Sequence, residues 1–152
     1  MNSSEIELLR HFVSTLSYRA HKALKDAPAS YPRLDIGHNA RTPIEILQHM
    51  TYVLMAVQTF LLGDENNKVE PDMLEWEEEV KRFYDVLEDI DDILIKNADM
   101  IDASEARTLL QGPLADVMTH VGQLAMLRRL ADSPLEGENF TKADIKPGNF
   151  FR

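Results

Sequence analysis

The chain has 152 residues, 44% of them hydrophobic, and no cysteine; this supports one domain with a single core and excludes disulfides, thiolate metal sites and cysteine nucleophiles. Its 26 acidic against 16 basic side chains leave a formal charge of −10, which disfavours nucleic-acid phosphates and anionic membranes as partners. The N-terminal segment lacks the apolar core of a signal peptide and no run reaches the roughly 18 apolar residues of a membrane span, so a soluble cytoplasmic protein is expected.

The first predicted helix begins near Ser3 or Ser4 as N-cap and runs to about Lys25, with Ile6, Leu9, Val13 and Leu16 on one stripe. Asp26, Pro28 and Pro32 end it. After a loop over 26–42, Thr42-Pro43-Ile44-Glu45 combines a capping residue, a proline suited to the first helical position and a glutamate that completes a capping box. The second helix is therefore predicted over 43–62, with Gly63 as its stop. A third follows Pro71, over about 72–97, where Trp76, Val80, Phe83, Leu87, Ile90 and Leu94 recur at spacings of four and three. Its other face is strongly acidic. Residues 70–92 hold eleven carboxylates against Lys81 and Arg82, a pattern read as a solvated face. A short helix over 104–111 is followed by the breaker Gly112-Pro113 and a last helix over 113–131.

No alternating run bounded by turn residues suggests a strand, so the expected architecture is all-α, a four-helix bundle over 1–131. Residues 132–152 are a tail with Pro134, Gly137, Pro147 and Gly148, but also Phe140, Ile145, Phe150 and Phe151. That is too apolar for a flexible linker, and the tail is expected to be partly ordered, packed on the bundle or on a partner subunit.

The chemistry concentrates on the last helix. Asp116, His120 and Gln123 stand at i, i+4 and i+7, so they project from nearly the same side, beside a core stripe that includes Leu114, Val117, Val121 and Leu124. An imidazole and a carboxylate at a buried edge need partners. On the second helix, His49 is flanked on the helical surface by Ile46, Met50 and Val53 and points toward the same core. Taken alone, His49 reads most simply as a hydrogen-bonded core histidine; two inward histidines with a carboxylate one turn away favour a shared site. His49, Asp116 and His120 would form a centre of two histidines and one carboxylate with open positions, suited to zinc, nickel or iron(II). Gln123 would orient a ligand or a water. His11, His21 and His38 read as surface residues, Arg128 and Arg129 as last-turn cations or contacts to an anion or a subunit, and Met50, Met55, Met118 and Met126 as core filler.

The start Arg41-Thr42-Pro43, followed by Glu45, Leu47 and His49, together with His120-x-Gly122-Gln123-Leu124-Ala125-x-Leu127-Arg128-Arg129, resembles the DinB/YfiT-like family of metal-dependent enzymes. The resemblance covers most of the chain. It is strongest over 41–62 and 112–131 and includes the tail segment 138–145. It implies a four-helix bundle with a long crossover, usually a homodimer, and a divalent metal held by three histidines, one on the second helix and two in an HxxxH pair. His49 and His120 match two of these positions, and Asp116 stands where the other histidine would be. Asp116 is thus either a carboxylate ligand or the residue that orients His120 in a decayed site.

Two functions follow. In one, a metal at His49, His120 and Asp116 activates a water or a thiol toward a small-molecule substrate, in a hydrolase or thiol-transferase type of reaction. In the other, the bundle is non-catalytic and uses its acidic face or tail in protein interaction or stress-related binding.

Overall fold

The structure, a computed structural model, describes residues 3–64 and 70–152. The chain is helical, and among the described residues no strand is present. The helices are α1 (Ser3–Leu24), α2 (Pro43–Leu62), α3 (Trp76–Lys96), α4 (Ala103–Leu109) and α5 (Ala115–Leu130). α1 packs on α3 and α5, and α2 packs on the same two, so α1 lies diagonally across the bundle from α2. α1 and α2, consecutive in the chain, are therefore not neighbours, whereas α2 and α3 are. The connection over residues 25–42 crosses one end of the bundle, and Tyr31, fully buried, anchors it by donating its hydroxyl to the Leu124 carbonyl at 2.7 Å and meeting Trp76 edge-to-face. α1 and α3 are antiparallel: Arg10 meets Asp91, and His21, further along α1, meets Tyr84, earlier in α3.

α2 has the bounds its end signals predict. The Thr42 hydroxyl accepts the Glu45 amide, Pro43 fills the first helical position, and Gly63, at φ 72, donates its N–H to the last turn. The predicted box is altered in one respect, since the Glu45 carboxylate accepts from the Thr42 hydroxyl at 2.9 Å. Ser3 and Ser4 already lie within α1, and the position before Ser3 is outside the described residues. α3 starts at Trp76 rather than at 72, because the Asp72 carbonyl is taken by the Arg82 guanidinium at 3.0 Å while Trp76 turns into the core.

The largest departure from the sequence reading is at Gly112-Pro113. α4 opens on a full capping box between Asp102 and Glu105, and it passes into α5 through a π turn over Leu110–Leu114. A proline lacks an N–H and its ring clashes with the carbonyl four residues back in an α-helix. The wider turn removes that conflict: Ala115 N–H reaches back five residues to the Leu110 carbonyl, and Leu109 and Leu114, five apart, are both buried. Helical direction survives the proline, and Asp116 follows directly on the first turn of α5.

Several polar groups read as solvated are buried. Asp91, 4% exposed, takes a two-point contact from Arg10 at 2.8 and 3.0 Å, and Glu79, 0% exposed, takes one from Arg82 at 2.7 and 2.8 Å. Arg128 is also buried rather than a ligand contact at the surface. Its guanidinium donates to the Ala23 and Lys25 carbonyls at the end of α1 and to Ser133 after α5, closing two helix ends at once. Met126 is 56% exposed, whereas Met50 is core.

Residues after 132 lie along α1. Glu138 accepts from Tyr18 and Lys22, Phe140 lies under the Arg19 guanidinium, and Phe151 meets Tyr18 edge-to-face. Gly148 and Phe151 donate their backbone N–H groups to Ser14 and Ser17, two fully buried serines of α1. Gly148, at φ 84, passes so close over the Arg10–Asp91 pair that a Cβ would meet the Arg10 guanidinium at 3.0 Å. His21, expected at the surface, is half-buried between Tyr84 and Phe151.

These contacts make the tail sensitive to acid. Hydrogen bonds from Lys22 and Tyr18 hold the Glu138 carboxyl below its ordinary range, so its contribution is complete above the unfolded carboxylate value and is lost as pH falls through the folded one. Burial holds the His21 imidazole below its usual value, so acidification below that value favours the unfolded chain, which protonates first. Both effects have the same sign. The hydrogen-exchange protection of the Gly148 and Phe151 amides is expected to fall on acidification before that of the α3 core amides, and Glu138→Gln is expected to remove the lower step. Equal loss in tail and core at every pH would contradict this.

Candidate metal centre

Helical geometry alone places Asp116 and His120 one turn apart on α5, and the packing of α2 on α5 brings His49 to them. Asp116 Oδ2 lies 3.1 Å from His49 Nε2 and 3.4 Å from His120 Nε2. The two imidazole rings stand edge-to-face with centroids 4.8 Å apart. One ligand atom from each of the three residues falls within 4.8 Å of the others. His120 is buried, while Asp116 and His49 keep 44% and 29% of their side-chain surface, so the cluster is walled on the core side and open on the other.

Gln123 decides the proton arrangement. Gln123 Oε1 lies 2.7 Å from His120 Nδ1, and when that carbonyl accepts from the ring the neutral imidazole is the Nδ1–H tautomer with its lone pair on Nε2. That lone pair faces a carboxylate oxygen at 3.4 Å. Two acceptors so placed repel unless a cation, either a proton or a metal ion, stands between them. Zinc bonds of about 2.0–2.1 Å in a tetrahedron put ligand atoms about 3.3 Å apart, and both measured nitrogen–oxygen separations fall near that value. The donor set of two imidazoles and one carboxylate suits a borderline divalent ion in charge and type, with its ligand atoms all within 4.8 Å of one another.

The sequence-derived residues thus divide cleanly. The three ligand candidates converge, and Gln123 touches His120 itself rather than facing a bound molecule alone. His11 and His38 are exposed and lie outside the cluster, and Arg128 serves the helix ends. Sequence spacing does not disclose the neighbouring cavity of about 480 Å³. It runs from His120 and Gln123 to the loop before α2, and its rim carries Asn39 and Arg41. Those two lie in a stretch without periodicity, so only the folded crossover reveals them. No family model matches the chain, and no curated protein or solved structure is found similar to it. Among the described residues no helix is long and apolar enough to cross a membrane.

The tautomer can be read directly. In metal-free protein at a pH where imidazoles are neutral, nitrogen-15 shifts of His120 are expected to show a protonated Nδ1. Gln123→Leu is expected to shift the ring toward the Nε2–H form, which can donate to Asp116. An Nε2–H ring in the wild type would refute the assignment.

Proposed function

We propose that this chain is a metal-dependent enzyme of the DinB/YfiT-like type, a hydrolase or thiol-transferase acting on a small molecule, with zinc, nickel or iron(II) held by His49, Asp116 and His120. The observation that carries the reading is the meeting of the His120 lone pair and the Asp116 carboxylate, with His49 closing the third side. When bound, a divalent ion at such a centre supplies Lewis-acid chemistry, lowering the pKa of a water or thiol toward neutrality. The residues of the chain supply the rest. Gln123 holds the His120 proton on Nδ1 and so keeps Nε2 free, Asp116 contributes the single negative charge of the set, and the half-exposed His49 and Asp116 leave the open side to solvent and substrate.

Purified protein titrated with zinc and nickel is expected to take up one ion per chain. His49→Ala and His120→Ala are expected to abolish most of that uptake while helicity is kept, since the core around them is already packed. Asp116 is the sharper probe. As a ligand, its change to Asn weakens binding strongly and its change to His restores or tightens it; as a residue that only orients His120, Asn costs on the order of 10–100-fold and His brings no gain. Protein that neither carries nor takes up a divalent ion would sink the reading.

We further propose that the chain pairs as a homodimer. Its tail aromatics Phe140 and Phe151 pack on α1, and an exposed apolar patch beside α1 and α4, where Leu8 and Leu110 are 70% and 42% exposed, offers the surface for pairing. Light scattering is expected to give twice the 17.4 kDa chain mass, and Leu8→Glu with Leu110→Glu to return the single chain. A wild-type protein of one chain mass would overturn the pairing.

A further inference from the structure

The cavity beside His120 is built from unlike parts. Ile46, only 3% exposed, makes an apolar wall from α2, and Ile36 makes another from the crossover loop. Gln123 gives its carbonyl to His120, which leaves two amide N–H donors on that side chain. Arg41 is the one charged residue in the lining, and it has no ion pair or hydrogen bond within the described chain.

The loop that carries this rim is held in an uncommon shape. Gly37, His38 and Asn39 have φ of 78, 58 and 58°, three consecutive residues in the left-handed region. Gly adopts it freely, and Asn and His are among the side chains that tolerate it best. The turn is fixed by Asp35, whose carboxylate accepts from Gly37 N–H at 2.8 Å, and by the bond from Ala40 N–H to the Gly37 carbonyl at 3.0 Å. It delivers Asn39 and Arg41 to the cavity just before Thr42 and Pro43 start α2.

We infer that this cavity binds a small carboxylate with an apolar body, its anionic end on Arg41 and Asn39 and its body between Ile36 and Ile46, beside His120. An unpaired guanidinium binds a carboxylate through two parallel N–H donors, and apolar walls around it select against small hydrophilic anions. The assignment deepens the function proposed above by naming a substrate class, and it rests on that reading only for its catalytic meaning. Binding itself needs no metal.

Hexanoate and its uncharged amide, hexanamide, test it by NMR titration of the full chain after exhaustive chelation. Hexanoate is expected to move the backbone signals of Asn39 and Arg41 and the side-chain amide of Gln123. Arg41→Gln, a substitution at an exposed position, is expected to weaken hexanoate about tenfold or more and to leave hexanamide binding unchanged. Hexanoate binding that ignores Arg41, maps elsewhere, equals hexanamide binding or is absent would overturn the inference. Parallel zinc titrations separate the two proposals. Arg41-dependent hexanoate binding in a protein that takes up no zinc sinks the metal reading and upholds the cavity. Zinc uptake without Arg41 dependence sinks the cavity alone.

Discussion

A single carboxylate oxygen, Asp116 Oδ2, lies within 3.4 Å of two imidazole nitrogens, and one of those nitrogens has had its proton placed elsewhere by Gln123. Acceptors brought together at the edge of an apolar core are a debt that the fold itself does not settle. With the His120 proton on Nδ1, the Nε2 lone pair and Asp116 Oδ2 are joined only through a proton or another cation between them, which is why the contact to Gln123 says more about this site than the mere proximity of two histidines.

The remainder of the bundle is arranged so that this convergence can persist. α2 and α5 come from distant parts of the chain and must keep register for His49 to reach Asp116. Their ends are tied to structures outside the site: Tyr31 in the crossover holds the Leu124 carbonyl, and Arg128 binds the end of α1 to the turn after α5. On the far side, Gly148 brings the tail over the buried Arg10–Asp91 pair, where a Cβ would meet the guanidinium at 3.0 Å and the arginine would have to give way. Of these ties, Arg128 also satisfies carbonyls at the end of α1 that the helix cannot satisfy for itself.

How much of this was legible in the sequence depends on the kind of signal. The bounds of α2 follow from Thr42, Pro43 and Gly63 because caps act locally, and the Asp116–His120 pair follows from the period of an α-helix. His49 could be added because its neighbours are core residues, although which helix it would face was beyond spacing. Gly112-Pro113 misled, since a dipeptide that usually breaks a helix was absorbed by one wider turn, a tertiary outcome of keeping Leu109 and Leu114 in one core. The burial of Glu79, Asp91, Ser14 and Ser17 was illegible for a related reason. Their partners are Arg82 in the next turn, Arg10 across the bundle, and tail backbone more than a hundred residues away. A charge count treats such residues as solvated because it carries no information on pairing. Arg41 and Asn39 fall in the same class, placed by a left-handed turn that no periodicity encodes.

The distribution of satisfied and unsatisfied groups then separates scaffold from site. On the α1–α3–tail side, the buried polar residues are spent on one another or on backbone: Asp91 on Arg10, Glu79 on Arg82, Ser14 and Ser17 on the tail. The Tyr84 hydroxyl is the exception, a single neutral group buried there with no partner among the described residues. On the α2–α5 side the balance is reversed. Arg41 has no anion, and the Nε2 lone pair of His120 has no donor, although both border the same cavity and acidic residues elsewhere on the surface would pair with an arginine at little cost. Two groups without a partner in their own chain thus border one concave, half-apolar surface, whereas the buried charges of the α1–α3–tail side are paired within the fold.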